Sequence, residues 1–269
     1  MLCRGVRRQI LAANDPALPF RKIAPFLSTA NISFVNLESP FSDRGPYPED
    51  GLIFHAAPQT IDGLKLARIT LASTANNHAR DCGPHGVDFT VTWLRCHGIA
   101  PLGSNETEAA THRGIVIRRK GIRFGFLGYT YDQQNGNWRD IDTRIALTDP
   151  VIVSRDVKDL SKRADVVIVS MHHGMEYRFT PTKAQIEFAH AAIDAGAALV
   201  IGHHPHVIEP REVYHGGVIF YSLGNFVFDQ YQRDATQHGE IAEVDFLGRG
   251  IIATSAWRVK ITSTGPELE

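Results

Sequence analysis

Four short apolar runs in this chain each stop in the same way, at polar side chains for which packing has no use. Ile32-Ser33-Phe34-Val35-Asn36-Leu37 ends at Glu38, and Ile69-Thr70-Leu71-Ala72 leads to Asn76-Asn77-His78. Val166-Val167-Ile168-Val169 runs into Met171-His172-His173-Gly174. Ala197-Ala198-Leu199-Val200-Ile201 runs into Gly202-His203-His204-Pro205-His206-Val207. A buried strand that ends in carboxylate, amide or imidazole delivers those groups to the mouth of a sheet, where open α/β folds keep their chemistry. Four such endings predict one shared cleft.

The segments between these runs fit the same picture. Apolar residues at Ile61, Leu64 and Leu66 suit a short helix from Pro58 to Ala67, and Val87, Val91 and Leu94 recur at helical spacing up to Gly98. Ile115-Val116-Ile117 and Ile122 to Leu127 flank Lys120-Gly121 as a hairpin. Helices are expected from about Val153 to Arg163 and over 181–195. Strands are expected at Val218 to Tyr221, Ile241 to Phe246 and Gly250 to Ile261. Strands alternate with helices early and run consecutively late, which predicts an α/β sandwich with mixed sheets rather than a purely doubly wound fold. No repeat, low-complexity tract or linker divides the 269 residues, so a single domain over 1–269 is expected.

Composition excludes several classes. A formal net charge of -1 offers no electrostatic capture of nucleic acid or anionic membrane. Cys3, Cys82 and Cys96 form no CxxC pair and no disulfide framework. No apolar stretch reaches the ~20 residues that cross a bilayer, and Ile10 to Ala13 after Arg4, Arg7 and Arg8 is too short for a signal peptide. The expectation for the chain as written is cytoplasmic.

On an extended segment, side chains two apart point the same way, so His204 and His206 can converge on one metal while His203 faces elsewhere. A carboxylate, an Asn oxygen and several imidazoles suit two divalent ions about 3.5–4 Å apart. A neighbouring histidine could protonate a leaving oxygen. The bland alternative is a set of solvated histidines, and the repetition at four strand ends argues against it.

These motifs, taken together and in order, resemble the CapA family of capsule and poly-γ-glutamate synthesis, within the calcineurin-like metallophosphoesterase superfamily. The matching pieces are Asn36-Leu37-Glu38-Ser39-Pro40, Ala75-Asn76-Asn77-His78, His172-His173-Gly174-Met175-Glu176-Tyr177, Gly202 to Val207, and Tyr221-Ser222-Leu223-Gly224-Asn225-Phe226. The resemblance implies a four-layer α/β/β/α sandwich holding two ions of manganese, zinc or iron at the strand C-termini. It implies Glu38 as the bridging carboxylate, and Asn77, His172 and His204 on the second metal. His206 would lie on the first metal, and His78 would be the acid or phosphate-side histidine. Family members open with a strand ending in Gly-Asp before a segment like Met1-Leu2-Cys3-Arg4-Gly5, and this chain begins after it. Either the true start lies upstream, with membrane association then open, or the first-metal site is impaired. His173 stands where the family more often has Trp.

Glu176 and Tyr177 read as substrate contacts or as partners that orient His172, with His173 and His203 as further neighbours. Asn225 reads as a turn residue in the left-handed region with a supporting role, and Cys82 as a small buried hydrophobe. The expected function is a metal-dependent hydrolase acting on a phosphoester, or on a polyanionic substrate of the polymer pathway, beside the capsule or polyglutamate synthesis machinery. Two alternatives stand beside it: a non-catalytic accessory protein of polymer assembly, and a metal-independent His/carboxylate enzyme such as a peptide epimerase.

Overall fold

The computed structural model describes residues 1–132, 134 and 140–269. From the N-terminus, α1 (Arg4–Ala13) and α2 (Ala24–Leu27) precede β1 (Phe34–Asn36), followed by α3 (Ile61–Leu66), β2 (Leu71–Ser73), α4 (Gly83–Cys96), β3 (Ala100–Leu102) and α5 (Glu108–Arg113). Next come β4 (Ile115–Arg119), β5 (Ile122–Thr130), α6 (Pro150–Ser161), β6 (Val166–His172), α7 (Lys183–Asp194) and β7 (Leu199–His203). The last part adds β8 (Arg211–Tyr214), β9 (Gly217–Phe220), β10 (His238–Leu247), β11 (Gly250–Thr262) and β12 (Gly265–Leu268).

The expected mixed α/β architecture is present. A six-stranded sheet has the order β4-β5-β6-β7-β9-β8, with β5, β6, β7 and β9 parallel and the edge strands β4 and β8 antiparallel to their neighbours. β1, β2 and β3 form a parallel sheet, and β10, β11 and β12 an antiparallel one. Every residue of β6 is buried, as a central strand covered on both faces requires. On one face Val153, Val157 and Leu160 of α6 and Phe188 and Ala192 of α7 meet Val167, Val169 and Val200. On the other, Phe124, Phe126 and Ile168 meet Leu71, Leu102 and the half-buried Val244 and Phe246.

The helix α6 starts three residues before the expected Val153, because its start is set by a cap rather than by apolar spacing. Asp149 accepts from the N–H groups of Val151 and Ile152, and Pro150 opens the helix. A helix over Arg4–Ala13, burying Val6 and Ile10, escapes the sequence reading. So does β3, whose Pro101 argues against a strand but is tolerated at a sheet edge.

β1 and β10 are the outermost strands of their sheets. Between them lies a cavity of about 270 Å³, walled by Phe34 and Val35 on one side and Ile241, Val244 and Phe246 on the other, with Phe126 and Ile201 on its floor. Met1 lines its mouth, and the amine donates to the Val227 carbonyl at 2.9 Å. Burial lowers the pKa of that amine. No helix among the described residues is long and apolar enough to cross a membrane.

Candidate functional site

The strand endings meet where the parallel sheet approaches the large one. His172, the last residue of β6, is wholly buried, and its Nε2 lies 2.8 Å from Asn77 Oδ1 in the loop after β2. The ring centre of His204 is 5.0 Å from that of His172 and 6.1 Å from that of His206. His206 Nε2 lies 3.8 Å from Glu38 Oε1, and both residues are buried. Glu38, Asn77, His172, His204 and His206 are therefore neighbours in space. His78 lies in the same Asn77-His78 loop.

The histidines converge by a different device from the strand alternation expected of them. β7 ends at His203, and His204 and His206 adopt φ values of +105° and +60° in a tight turn. Such angles are uncommon for residues with a side chain and cluster at functional sites. Gly202 admits the neighbouring chain: a Cβ there would sit 1.9 Å from the Tyr221 carbonyl oxygen. His203, by contrast, faces the cavity between β1 and β10, where its ring lies 5.7 Å from that of Phe34. Burial drops its pKa to about 4, and it shares the lining of that cavity with Glu38, His204 and His206 of the cleft.

Asn225 takes the supporting part of its expected role but not the turn. Gly224, at φ +68°, supplies the left-handed turn. Asn225 donates through Nδ2 to Gln230 Oε1 and to the Thr236 carbonyl. That leaves Oδ1 to accept from His206 Nδ1 at 2.9 Å. The bond fixes the tautomer in which Nε2 of His206 presents its lone pair toward Glu38.

His78 is held in a similar way. Its Nδ1 lies 2.7 Å from Asp81 Oδ2, a carboxylate that also accepts from the Phe54 N–H at 2.6 Å. The Phe54 ring stacks on His78 at 3.8 Å between centres. Asp81 is a functional candidate that sequence reasoning missed. The signal was the His78-x-x-Asp81 spacing within one turn. His173 Nδ1 lies 3.1 Å from the Thr148 hydroxyl, and its ring centre is 5.7 Å from that of Tyr131. Cys82 Sγ contacts the carbonyls of Pro40 and Phe54, and burial lifts its thiol to about 12, an inert group.

Burial, reinforced by neighbouring imidazoles, holds His172 well below the ordinary histidine range and His204 at about 3. Neutral imidazole is the metal-binding form. Glu38 Oε1, His172 Nδ1 and His204 Nδ1 are buried without a hydrogen-bond partner, a costly state for polar atoms that a ligand would relieve. Two donors each ~2.1 Å from one ion at a right angle stand ~3 Å apart, and the His172–Asn77 spacing has that size. Among the described residues no three His, Cys, Asp or Glu side chains converge on one point able to hold a metal. The fit to divalent ions is thus one of donor chemistry and of spacing within two pairs, His172 with Asn77 and His206 with Glu38.

The family model described as bacterial capsule synthesis protein PGA_cap matches residues 1–230. The PGA biosynthesis protein CapA of Bacillus subtilis (strain 168) is 34% identical over 215 residues, covering 78% of this chain and 57% of that protein. The capsule biosynthesis protein CapA of Bacillus anthracis is 33% identical over 220 residues, covering 78% and 54%. The chain thus spans little more than half the length of these curated relatives. The crystal structure of a hypothetical protein from Thermus thermophilus superposes with a TM-score of 0.59 at 16% identity, covering 91% of this chain and 93% of that one, and shares the fold.

Proposed function

The chain belongs to the family of bacterial capsule synthesis proteins, and from that premise we propose that it serves capsule or poly-γ-glutamate synthesis as a metal-dependent hydrolase of a phosphoester, built on a four-layer α/β/β/α metallophosphoesterase-like sandwich. The observation that carries this reading is the pairing of His172 with Asn77 and of His206 with Glu38 across two sheets, with buried donor atoms left without partners.

His172, Asn77 and His204 would hold one divalent ion of manganese, zinc or iron, and His206 with Glu38 the other. Such ions supply Lewis-acid stabilisation of charge and lower the pKa of water to near neutrality. The chain's own residues do the rest. Asn225 keeps Nε2 of His206 free to bind, as described above. Asp81 accepts the Nδ1 proton of His78, which leaves Nε2 to carry a proton to a departing oxygen. Phe54 covers one face of that ring and excludes water from it. The same reading gives the cavity between β1 and β10 an occupant: an extended apolar strand ending in Gly-Asp, whose carboxylate would join Glu38 and His206.

Manganese titration tests the site directly. One to two ions are expected to bind wild type, and the double change His204→Ala with His206→Ala is expected to abolish binding. The pH dependence has a definite sign. Protons compete with metal only for imidazoles that can be protonated, and His172 and His204 resist protonation below the ordinary ~6.5. Binding should therefore persist into mildly acidic solution. Stoichiometric manganese in the double variant would refute the ligand assignment. Failure of wild type to bind any of the three metals would leave the accessory role.

A further inference from the structure

Tyr177 is held in place by more than packing needs. Its backbone sits at φ +64°, a region bulky residues avoid. Its N–H donates to the carbonyl of Pro205, between His204 and His206, at 2.8 Å. Its hydroxyl accepts from Gln230 Nε2 at 3.2 Å, and Gln230 in turn accepts from Asn225. These bonds fix the phenol ring 6.2 Å from the His206 ring, at an interplanar angle of 30°.

The guanidinium of Arg233 lies over that ring, 4.3 Å from its centre. A stacked guanidinium keeps its N–H edge free for bidentate bonds. Arg233 is exposed and, among the described residues, has no ion-pair partner. Arg178, on the same loop as Tyr177, is exposed and bonds through Nε to the Thr180 hydroxyl at 3.1 Å. Two carboxylates stand near. Burial first and Glu176 second raise the Tyr177 phenol, while Asp234 is 97% exposed and lies 3.7 Å from His238.

We propose that Tyr177 and Arg233 form an anion-binding shelf on the rim of the cleft, one ring's width from His206, that takes the carboxylate or phosphate next to the reacting group of a polyanionic substrate. The placement rests on the hydrolase reading of the cleft. The shelf itself needs no metal.

Calorimetric binding of pentaglutamate and of inorganic tripolyphosphate, with and without chelator, tests it. Arg233→Ala is expected to weaken binding about tenfold, the scale of one charge-assisted bidentate contact. Arg233→Glu should weaken it further, and Arg233→Lys should restore only part, because a point charge lacks the fork. A loss that persists in chelator places the effect on the shelf, whatever the fate of the metal reading. A loss confined to one probe supports the shelf and identifies its anion. Equal affinity of wild type and Arg233→Glu for both probes, or no binding to wild type, overturns the proposal.

Discussion

His78→Ala is expected to slow hydrolysis of an alkyl phosphoester by ~10²–10⁴-fold, the usual worth of a positioned general acid, and to slow a nitrophenyl ester far less. The difference follows from the leaving group. An alkoxide needs a proton as it departs, whereas a nitrophenolate leaves unaided. The geometry supplies the reason to single out this histidine: Nδ1 is tied to Asp81 at 2.7 Å, and the ring is clamped against Phe54. Asp81→Asn should reproduce much of the selective loss, because a neutral amide removes the negative charge that stabilises the protonated imidazole, the form that delivers a proton to the leaving oxygen. The measurement is turnover of both esters at saturating manganese. Equal losses on the two esters would remove His78 from the acid role and leave it as a charge stabiliser.

A strand fitted into the cavity between β1 and β10 is expected to raise the melting temperature by about 10 °C. The slot is mainly apolar, with Glu38, His204 and His206 among its lining, and its walls include two strands whose outer edges have no neighbour in their sheets. A segment such as Val-Ile-Val-Ile-Gly-Asp, placed ahead of Met1, would pair with both edges. Each buried Val or Ile is worth ~1.5–3 kcal/mol, against ~1–2 kcal/mol for each residue ordered. Ladder hydrogen bonds add to the gain, for a net of about 3 kcal/mol. In a domain of this size each kcal/mol moves the midpoint by ~2–4 °C. A Gly/Ser extension of equal length is the control, since it cannot fill the slot. If both versions melt together, the cavity is not a strand site.

The fold was largely legible because burial writes itself into the apolar runs. Strands β5, β6, β7 and β9 were readable, and so was the helix over Lys183–Asp194, whose Phe188, Ala189, Ala192 and Ile193 face the core. Elements stabilised mainly by their surroundings were not readable. β8 alternates exposed and half-buried residues, and β3 survives with a proline because it lies at an edge. At the site, the residue types and their gathering were legible, since abrupt polarity after a buried strand has few other uses. The turn that brings His204 and His206 together was not, because positive φ at a histidine leaves no mark in composition. Nor was Asp81, whose role depends on the ring it touches. For Asn225 the supporting role was legible but the turn was not: the glycine before it takes the turn, which frees the amide to hold His206.

The cleft is built across a seam, and that has a kinetic consequence. Glu38 and Asn77 ride on the small parallel sheet, His172 and His204 on the large one, and the bonded pair His172–Asn77 is 95 residues apart in sequence. Contacts of such long range are late to form, and their loop-closure cost slows folding. Anything grasped from both sides of the seam therefore acts as a clasp on two docked bodies. Bonds absent from the folding transition state leave the refolding rate nearly unchanged and lengthen the life of the folded form. For this protein, occupancy of the cleft and the time a molecule stays folded should rise together.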